Sequence, residues 1–198
     1  MIVIDIETTG LDVLQHSILE IGALDFNNPY NKFFQRCRIS SEEKVDINAL
    51  DVNGYYKTKL CDSGEQSLYD LLQNFVKWVD PIKDKTLAGQ NVDFDISFLK
   101  RSLTQTGLNW SLGWRKVDLH TLAYCDLLKK GHDAPLKNDL SDLNGDYIMQ
   151  YVGLPSEPRP HLGINGAMYA AEAISRLIYG KSLINQFERY IIPSHFNR

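Results

Sequence analysis

The sequence predicts one α/β domain with a mixed central sheet flanked by helices. Three strand-like segments come first, and helix-like segments then alternate with short strands, the order expected of such a sheet. The chain has 198 residues, 43% hydrophobic and 23% charged, which suits a single sizeable core in an ordinary soluble domain.

The elements follow in order. The apolar run of Met1, Ile2, Val3, Ile4 and Ile6 reads as a strand over residues 1–7, stopped by Thr8-Thr9-Gly10. Ile18 to Phe26 and Tyr30 to Ile39 read as two more strands, joined by a hairpin turn at Asn27-Asn28-Pro29. A short helix is expected near Ile47–Val52, ended by Gly54. Leu68, Leu71, Leu72, Phe75, Val76 and Val79 recur at helical spacing, and Pro81 lies just beyond them. Thr86-Leu87-Ala88 is a short strand, Phe94 to Thr106 a helix and Lys116-Val117-Asp118 another short strand. A helix follows from about Leu119 to Lys129. Residues 130–160 are rich in turn formers and hold one short helix near Tyr147–Val152. The last long helix runs from about Asn165 to Tyr179. No internal repeat or low-complexity segment interrupts the pattern.

A net charge of −4 argues against a broad basic surface for nucleic acid. It does not exclude such a partner, because a metal-charged site holds phosphate on an acidic protein. The basic pairs (Arg36 with Arg38, Lys57 with Lys59, Lys100-Arg101, Arg115-Lys116 and Lys129-Lys130) read as solvated faces. Cys37, Cys61 and Cys125 are odd in number and lack metal-ligand spacing, so a reduced, cytoplasmic compartment is expected. Met1 leads straight into the first strand without a cleavage signal, and no apolar run is long enough for a bilayer. No membrane partner is expected.

Three segments carry chemistry. In Asp5-Ile6-Glu7-Thr8-Thr9-Gly10, strand alternation points Asp5 and Glu7 the same way. Two like charges beside a buried apolar run lose hydration and repel, and a divalent cation relieves both. Carboxylate oxygens favour hard ions such as Mg²⁺ or Mn²⁺. A solvated strand end is the simpler alternative. The second segment is Asn91-Val92-Asp93-Phe94-Asp95-Ile96-Ser97-Phe98-Leu99. Asp95 falls in the first turn of a helix, where an acid also complements the helix dipole. Asp93 fits its N-cap. The third is His161-Leu162-Gly163-Ile164-Asn165-Gly166-Ala167, leading into the final helix. A histidine there is either structural or a base; His16, His120 and His132 read as structural.

Together the three segments resemble the histidine subgroup of the DEDD-type 3′→5′ exonucleases. That family includes the proofreading subunit of bacterial DNA polymerase III, RNase T and oligoribonuclease. The resemblance runs from Asp5 to about Leu177, and includes Ile18-Leu19-Glu20-Ile21-Gly22 and Val117-Asp118. It implies an RNase H-like fold, an exonuclease-like domain over residues 1–180, and a tail over 181–198 that packs on the domain or extends from it. It also implies a two-metal hydrolase using Mg²⁺ or Mn²⁺. Asp5 would bridge both metals, Glu7 would hold the one carrying the attacking water, and Asp95 the other. His161 would be the general base, consistent with an unperturbed imidazole pKa of about 6.5. The backbone of Thr8 and Thr9 would meet the terminal 3′ hydroxyl, with Leu11 a wedge beside the last bases and Phe94 an apolar wall. Turn formation and core packing are the plainer roles for these four.

The sequence departs from the family at one consequential position. The family has an aspartate five residues after the histidine, its fourth carboxylate, and this chain has Gly166. Asn165 is rotated about 100° around the helix from that position, and Glu172 lies on another face. Asp139, Asp142 and Asp146 in the preceding loop remain candidates to fill in. Gln90-Asn91 is a smaller departure from a family His-Asn pair. The expected function is release of nucleoside 5′-monophosphates from single-stranded DNA or RNA 3′ ends, with activity in question at Gly166. The alternatives are a weak or inactive module that binds nucleic-acid ends or a partner protein, and a domain whose carboxylates bind no metal. Neither DNA against RNA nor a protein partner is readable from the chain.

Overall fold

The structure is a computed structural model and describes residues 1–39, 43–54 and 64–196. Lys57, Lys59 and Cys61 lie outside the described residues. Strand β1 (Ile2–Thr8) pairs antiparallel with β2 (Ile18–Asp25), which pairs antiparallel with β3 (Asn28–Arg36). On its other side β1 pairs in parallel with β4 (Leu87–Gly89), which pairs in parallel with β5 (Lys116–Asp118). The sheet order is therefore β3-β2-β1-β4-β5, a mixed sheet with β1 at its centre.

The helices end where local chemistry stops them. Asp46 caps α1 (Ile47–Asn53), and Gly54 closes it at φ 68°. Ser67 and Asp70 form a reciprocal capping box at α2 (Leu68–Val79). Helix α3 (Asp93–Thr106) ends at Gly107, α4 (Leu119–Lys129) follows β5 directly, and Asn144 caps α5 (Gly145–Tyr151). Helix α6 (Gly163–Tyr179) ends at Gly180 in the left-handed conformation.

Several boundaries differ from expectation for local reasons. The β2–β3 connection is tighter, with Asp25 opposite Asn28, so Asn28 and Pro29 belong to β3. An edge strand tolerates that proline because half of its N–H groups face away from the sheet. Asp93 is the first residue of α3, not its cap: the Val92 N–H donates to Asp118 and Asp93 pairs with Lys116. A small hairpin was not expected within 130–160. It joins β6 (Leu136–Lys137) to β7 (Leu140–Ser141) through Asn138 and Asp139, both at positive φ. Asn and Asp tolerate that conformation, which matches the hairpin twist.

Each sheet face is covered. Ile2, Ile4 and Ile6 pack with Leu71, Phe75, Ile96 and Leu99 of α2 and α3. Val3, Leu24 and Ala88 pack with Leu119, Ala171 and Ile174 of α4 and α6. Burying each of these large side chains contributes roughly 1.5–3 kcal/mol. Alternation along β1 therefore puts Asp5 and Glu7 on the α6 side.

Residues beyond α6 pack back onto it. Arg176 is wholly buried, pairs with Glu172 at 2.8 Å, and donates to carbonyls of Val152, Phe187 and Tyr190. Glu172 also accepts from the backbone of Leu183 and Ile184. Phe187 and Phe196 are buried. Among the described residues no helix is long and apolar enough to cross a membrane.

Candidate active site

A seam of glycines brings α6 down onto the central strands. A Cβ on Gly22 would lie 1.9 Å from the Gly163 carbonyl carbon, and one on Gly163 would lie 2.6 Å from the Asp5 carbonyl oxygen. Backbone meets backbone there, which only residues without a Cβ permit. Glu20, opposite Glu7 on β2, fixes the helix end: it accepts from the Gly163 N–H at 2.6 Å and pairs with Arg36 at 2.6 Å. The first turn of α6 thus hangs over Asp5. An added Cβ on Gly166 would lie 2.3 Å from Asp5 Oδ2.

Asp95 arrives from the opposite layer. Strand β4 pairs with β1 only at Ile2 and Val3, so the β1 edge is uncovered beyond them. The first turn of α3 fills that gap, and Asp95 Oδ1 accepts from the Ile6 N–H at 2.9 Å. Asp95 is 3% exposed and close enough to Asp5 and Glu7 for their charges to act on it.

A bracket from α1 holds His161. Asn53 donates to the Thr8 carbonyl at 3.1 Å and ties α1 to the end of β1. The His161 N–H donates to the Val52 carbonyl at 3.1 Å, and Gly54 packs against Pro160. His161 lines a cavity of about 270 Å³ together with Asp5, Gln90, Asp146, Glu157 and Gly166. A larger depression beside Ser17, Arg38 and Tyr69 includes none of the acids on β1.

The acids raise one another's pKa. Burial pushes Asp5 up to about 8, helped by the charges of Glu157 and Glu20. Burial also pushes Glu7 up to about 9, helped by Asp5, Glu20 and Glu157. Asp95 is raised well above the ordinary carboxylate range by burial and by Asp5. Glu157 is pushed up to about 7, mainly by burial, against a lowering backbone hydrogen bond from Leu162. His161 is lowered by burial and by Arg159, while Asp146 pulls the other way.

This chemistry suits a hard divalent cation. The neighbouring donors are carboxylate oxygens, the charges that raise Asp5 and Glu7 are all acidic, and among the described residues the Glu157 Oε1 and Gln90 Oε1 atoms are buried without a hydrogen-bond partner. Among the described residues, however, no three His, Cys, Asp or Glu side chains stand in a ready ligand cage.

The structure brings Asp5, His161 and Gly166 to one cavity and sets Glu7 and Asp95 beside Asp5. Thr9 is fully buried; its N–H donates to Ser17 and its carbonyl accepts from Asp46. Thr8 is buried, with its hydroxyl on the Gly10 carbonyl. Leu11 is 80% exposed, and Phe94 packs on Phe98 with ring centroids 4.8 Å apart. Of the loop aspartates, Asp146 lines the cavity, and Asp139 and Asp142 do not. Glu172 is committed to Arg176 and the chain after α6. Several basic residues are engaged internally, among them Arg36 with Glu20, Lys116 with Asp93 and Lys130 with Asp126.

Sequence reasoning missed Glu157 and the anchoring role of Glu20. Glu20 has a strand-position signal, since it shares the face of Glu7 through the β1–β2 register. Glu157 lies in an irregular loop, where no periodicity reports orientation.

An exonuclease family model, RNase T, matches residues 2–174. The PolC-type DNA polymerase III of Thermotoga maritima is 23% identical over 177 residues, which is 89% of this chain and 12% of that one. This chain thus spans about an eighth of the length of that relative. The nuclease domain of 3'hExo, a DEDDh family member bound to rAMP, superposes with a TM-score of 0.69 at 14% identity, covering 92% of this chain and 93% of that one. E. coli exonuclease I in complex with a dA16 oligonucleotide superposes with a TM-score of 0.70 at 15% identity, covering 91% of this chain and 40% of that one.

Proposed function

The chain belongs to the RNase T exonuclease family, with the RNase H-like fold of the histidine-type DEDD exonucleases, and we propose that it is a metal-dependent 3′→5′ exonuclease acting on single-stranded ends. The observation that supports this reading is the cavity that Asp5 shares with His161 and Gly166 beneath the first turn of α6, with Glu7 and Asp95 near enough to Asp5 for its charge to act on them. The oligonucleotide complex of exonuclease I and the rAMP complex of 3'hExo support a single-stranded substrate and a nucleoside monophosphate product.

Asp5, Glu7 and Asp95 would hold Mg²⁺ or Mn²⁺. Such ions, when bound, stabilise charge at the phosphate and acidify a water. His161 takes the proton of the attacking water on a ring nitrogen. Its lowered pKa keeps that nitrogen free near neutral pH, as a general base requires. The bracket from α1 fixes the backbone from which the imidazole extends. The backbone of Thr8 and Thr9, at the end of β1, would meet the terminal 3′ hydroxyl. Leu11, exposed at the end of β1, serves as the wedge, and Phe94, next to Asp95, as the apolar wall.

The test is a pair of single strands, one labelled at each end, incubated with the protein and Mn²⁺. A shortening ladder on the 5′-labelled strand and immediate release of label from the 3′-labelled strand are expected, both abolished by Asp5→Ala. Gly166 favours a second reading, an end-binding module with little turnover. Tight binding of 3′ ends without digestion at high protein concentration would establish it and overturn the first.

A further inference from the structure

We propose that Glu157 supplies the fourth carboxylate that position 166 lacks, entering the acidic site from the loop before α6. The inference rests on reading that site as a cation site. It stands on where the remaining acids are spent. Position 166 has no side chain, and the Asp5 carboxylate fills the space of one, since a Cβ there would lie 2.3 Å from Asp5 Oδ2 and 2.6 Å from Asp5 Cγ. Glu20 is committed to the Gly163 N–H and Arg36. Glu172 is committed to Arg176, Ser182, Leu183 and Ile184. Asp146 lines the cavity but is exposed, so water satisfies it.

Glu157 differs from all of these. It is half-buried, lines the same cavity as Asp5, His161 and Gly166, and among the described residues its Oε1 atom is buried with no hydrogen-bond partner. The Glu157 carboxylate takes a backbone hydrogen bond from Leu162, which leaves Oε1 unpaired, and an unpaired buried oxygen costs about 1–3 kcal/mol. An unpaired carboxylate oxygen in the cavity that Asp5 lines is the arrangement a shared cation would satisfy. Glutamate has one methylene more than aspartate, which suits an approach from the loop instead of from the helix.

Isothermal titration with Mn²⁺ alone tests this without relying on activity. The proteins are the wild type, Glu157→Gln, Asp146→Asn and Asp5→Asn, each shown folded by thermal unfolding. Glu157→Gln is expected to weaken Mn²⁺ binding by at least about 10-fold, the lower end for disturbing a metal site. It should unfold no earlier than wild type without metal, because a repelling acid has gone. Asp146→Asn should bind within about twofold of wild type, since a solvated charge is screened. Wild-type affinity in Glu157→Gln, with binding lost in Asp5→Asn, would overturn the role of Glu157 and leave the cation site standing. Equal losses in Glu157→Gln and Asp146→Asn would reduce the effect to general charge and also overturn it. Absence of Mn²⁺ binding in the wild type would overturn the cation site itself, and this inference with it.

Discussion

Gly166 is packed so closely on Asp5 that the carboxylate occupies the space a side chain would take: an added Cβ would lie 2.3 Å from Asp5 Oδ2 and 3.2 Å from Asp5 Cβ. The glycine therefore does more than omit a ligand. It lets the first turn of α6 rest directly on the acid at the centre of β1.

Gly166→Ala separates these two effects, because it adds the Cβ without a carboxylate. Helix propensity alone would favour alanine by about 1 kcal/mol. Overpacking typically costs about 1–3 kcal/mol, and the Asp5 side chain must rotate to make room. The expected outcome is a lower unfolding temperature without metal and weaker Mn²⁺ binding, read by thermal unfolding and calorimetry. A variant more stable than wild type with unchanged Mn²⁺ affinity would show that Asp5 moves aside freely.

The acids also set a pH dependence. Asp5 and Glu7 titrate at about 8 and 9 in the fold, against the ordinary carboxylate values of 3.8 and 4.5. The folded protein thus binds more protons than the unfolded chain between those limits, and stability falls as pH rises through that window. Their contribution is complete below about pH 4 and lost by about pH 9. Metal-free protein should show a falling unfolding midpoint from pH 5 to pH 9, and Asp5→Asn should flatten part of the slope. With Mn²⁺ present the fall should shrink, since a cation replaces the protons. A flat or rising metal-free profile would contradict the raised values.

Much of this was legible in the sequence, because periodic segments announce themselves. The placement of Asp5 and Glu7 on one face follows from strand alternation alone. The 68–79 helix emerges where its spacing put it and the 119–129 helix where it was expected, with Ser67 and Asp118 as caps. The residues that assemble the site were harder to read. Glu157 lies in a loop, and Asp93 is the first residue of α3 instead of its cap, since Val92 takes the cap position with its N–H bonded to the distant Asp118. The Gly22–Gly163 contact likewise joins strand to helix across a distance in sequence that no local pattern reports.

Arg176 gives a prediction remote from the chemistry. It is fully buried and pairs with Glu172 while donating to carbonyls of the loop after α5 and of residues beyond α6. Arg176→Ala strands the buried Glu172 carboxylate, and breaking such a pair costs about 3–5 kcal/mol. Chemical denaturation should register a loss of that size, while Mn²⁺ affinity per folded molecule stays within twofold of wild type. A loss below about 1 kcal/mol, the scale of an exposed pair, would mean that water reaches Glu172.

Gly22→Ala tests whether the glycine seam positions the site. The methyl group would meet the Gly163 carbonyl carbon at 1.9 Å and the Ile164 nitrogen at 2.0 Å, backbone atoms that no rotamer change can move. Helix α6 would have to lift from β2. That breaks the Glu20 bond to the Gly163 N–H and separates the first turn, with Gly166, from Asp5. The cost is set near the upper end of overpacking, about 3 kcal/mol or more, and Mn²⁺ binding should weaken in the folded fraction. Gly145→Ala is the matched control, since among the described residues a Cβ there meets nothing within 4 Å and its residue opens α5. It should leave stability unchanged or raise it by up to about 1 kcal/mol. If Gly22→Ala were as stable as Gly145→Ala, α6 would be free to shift on the sheet, and the contact would not be what holds the histidine segment over the acids.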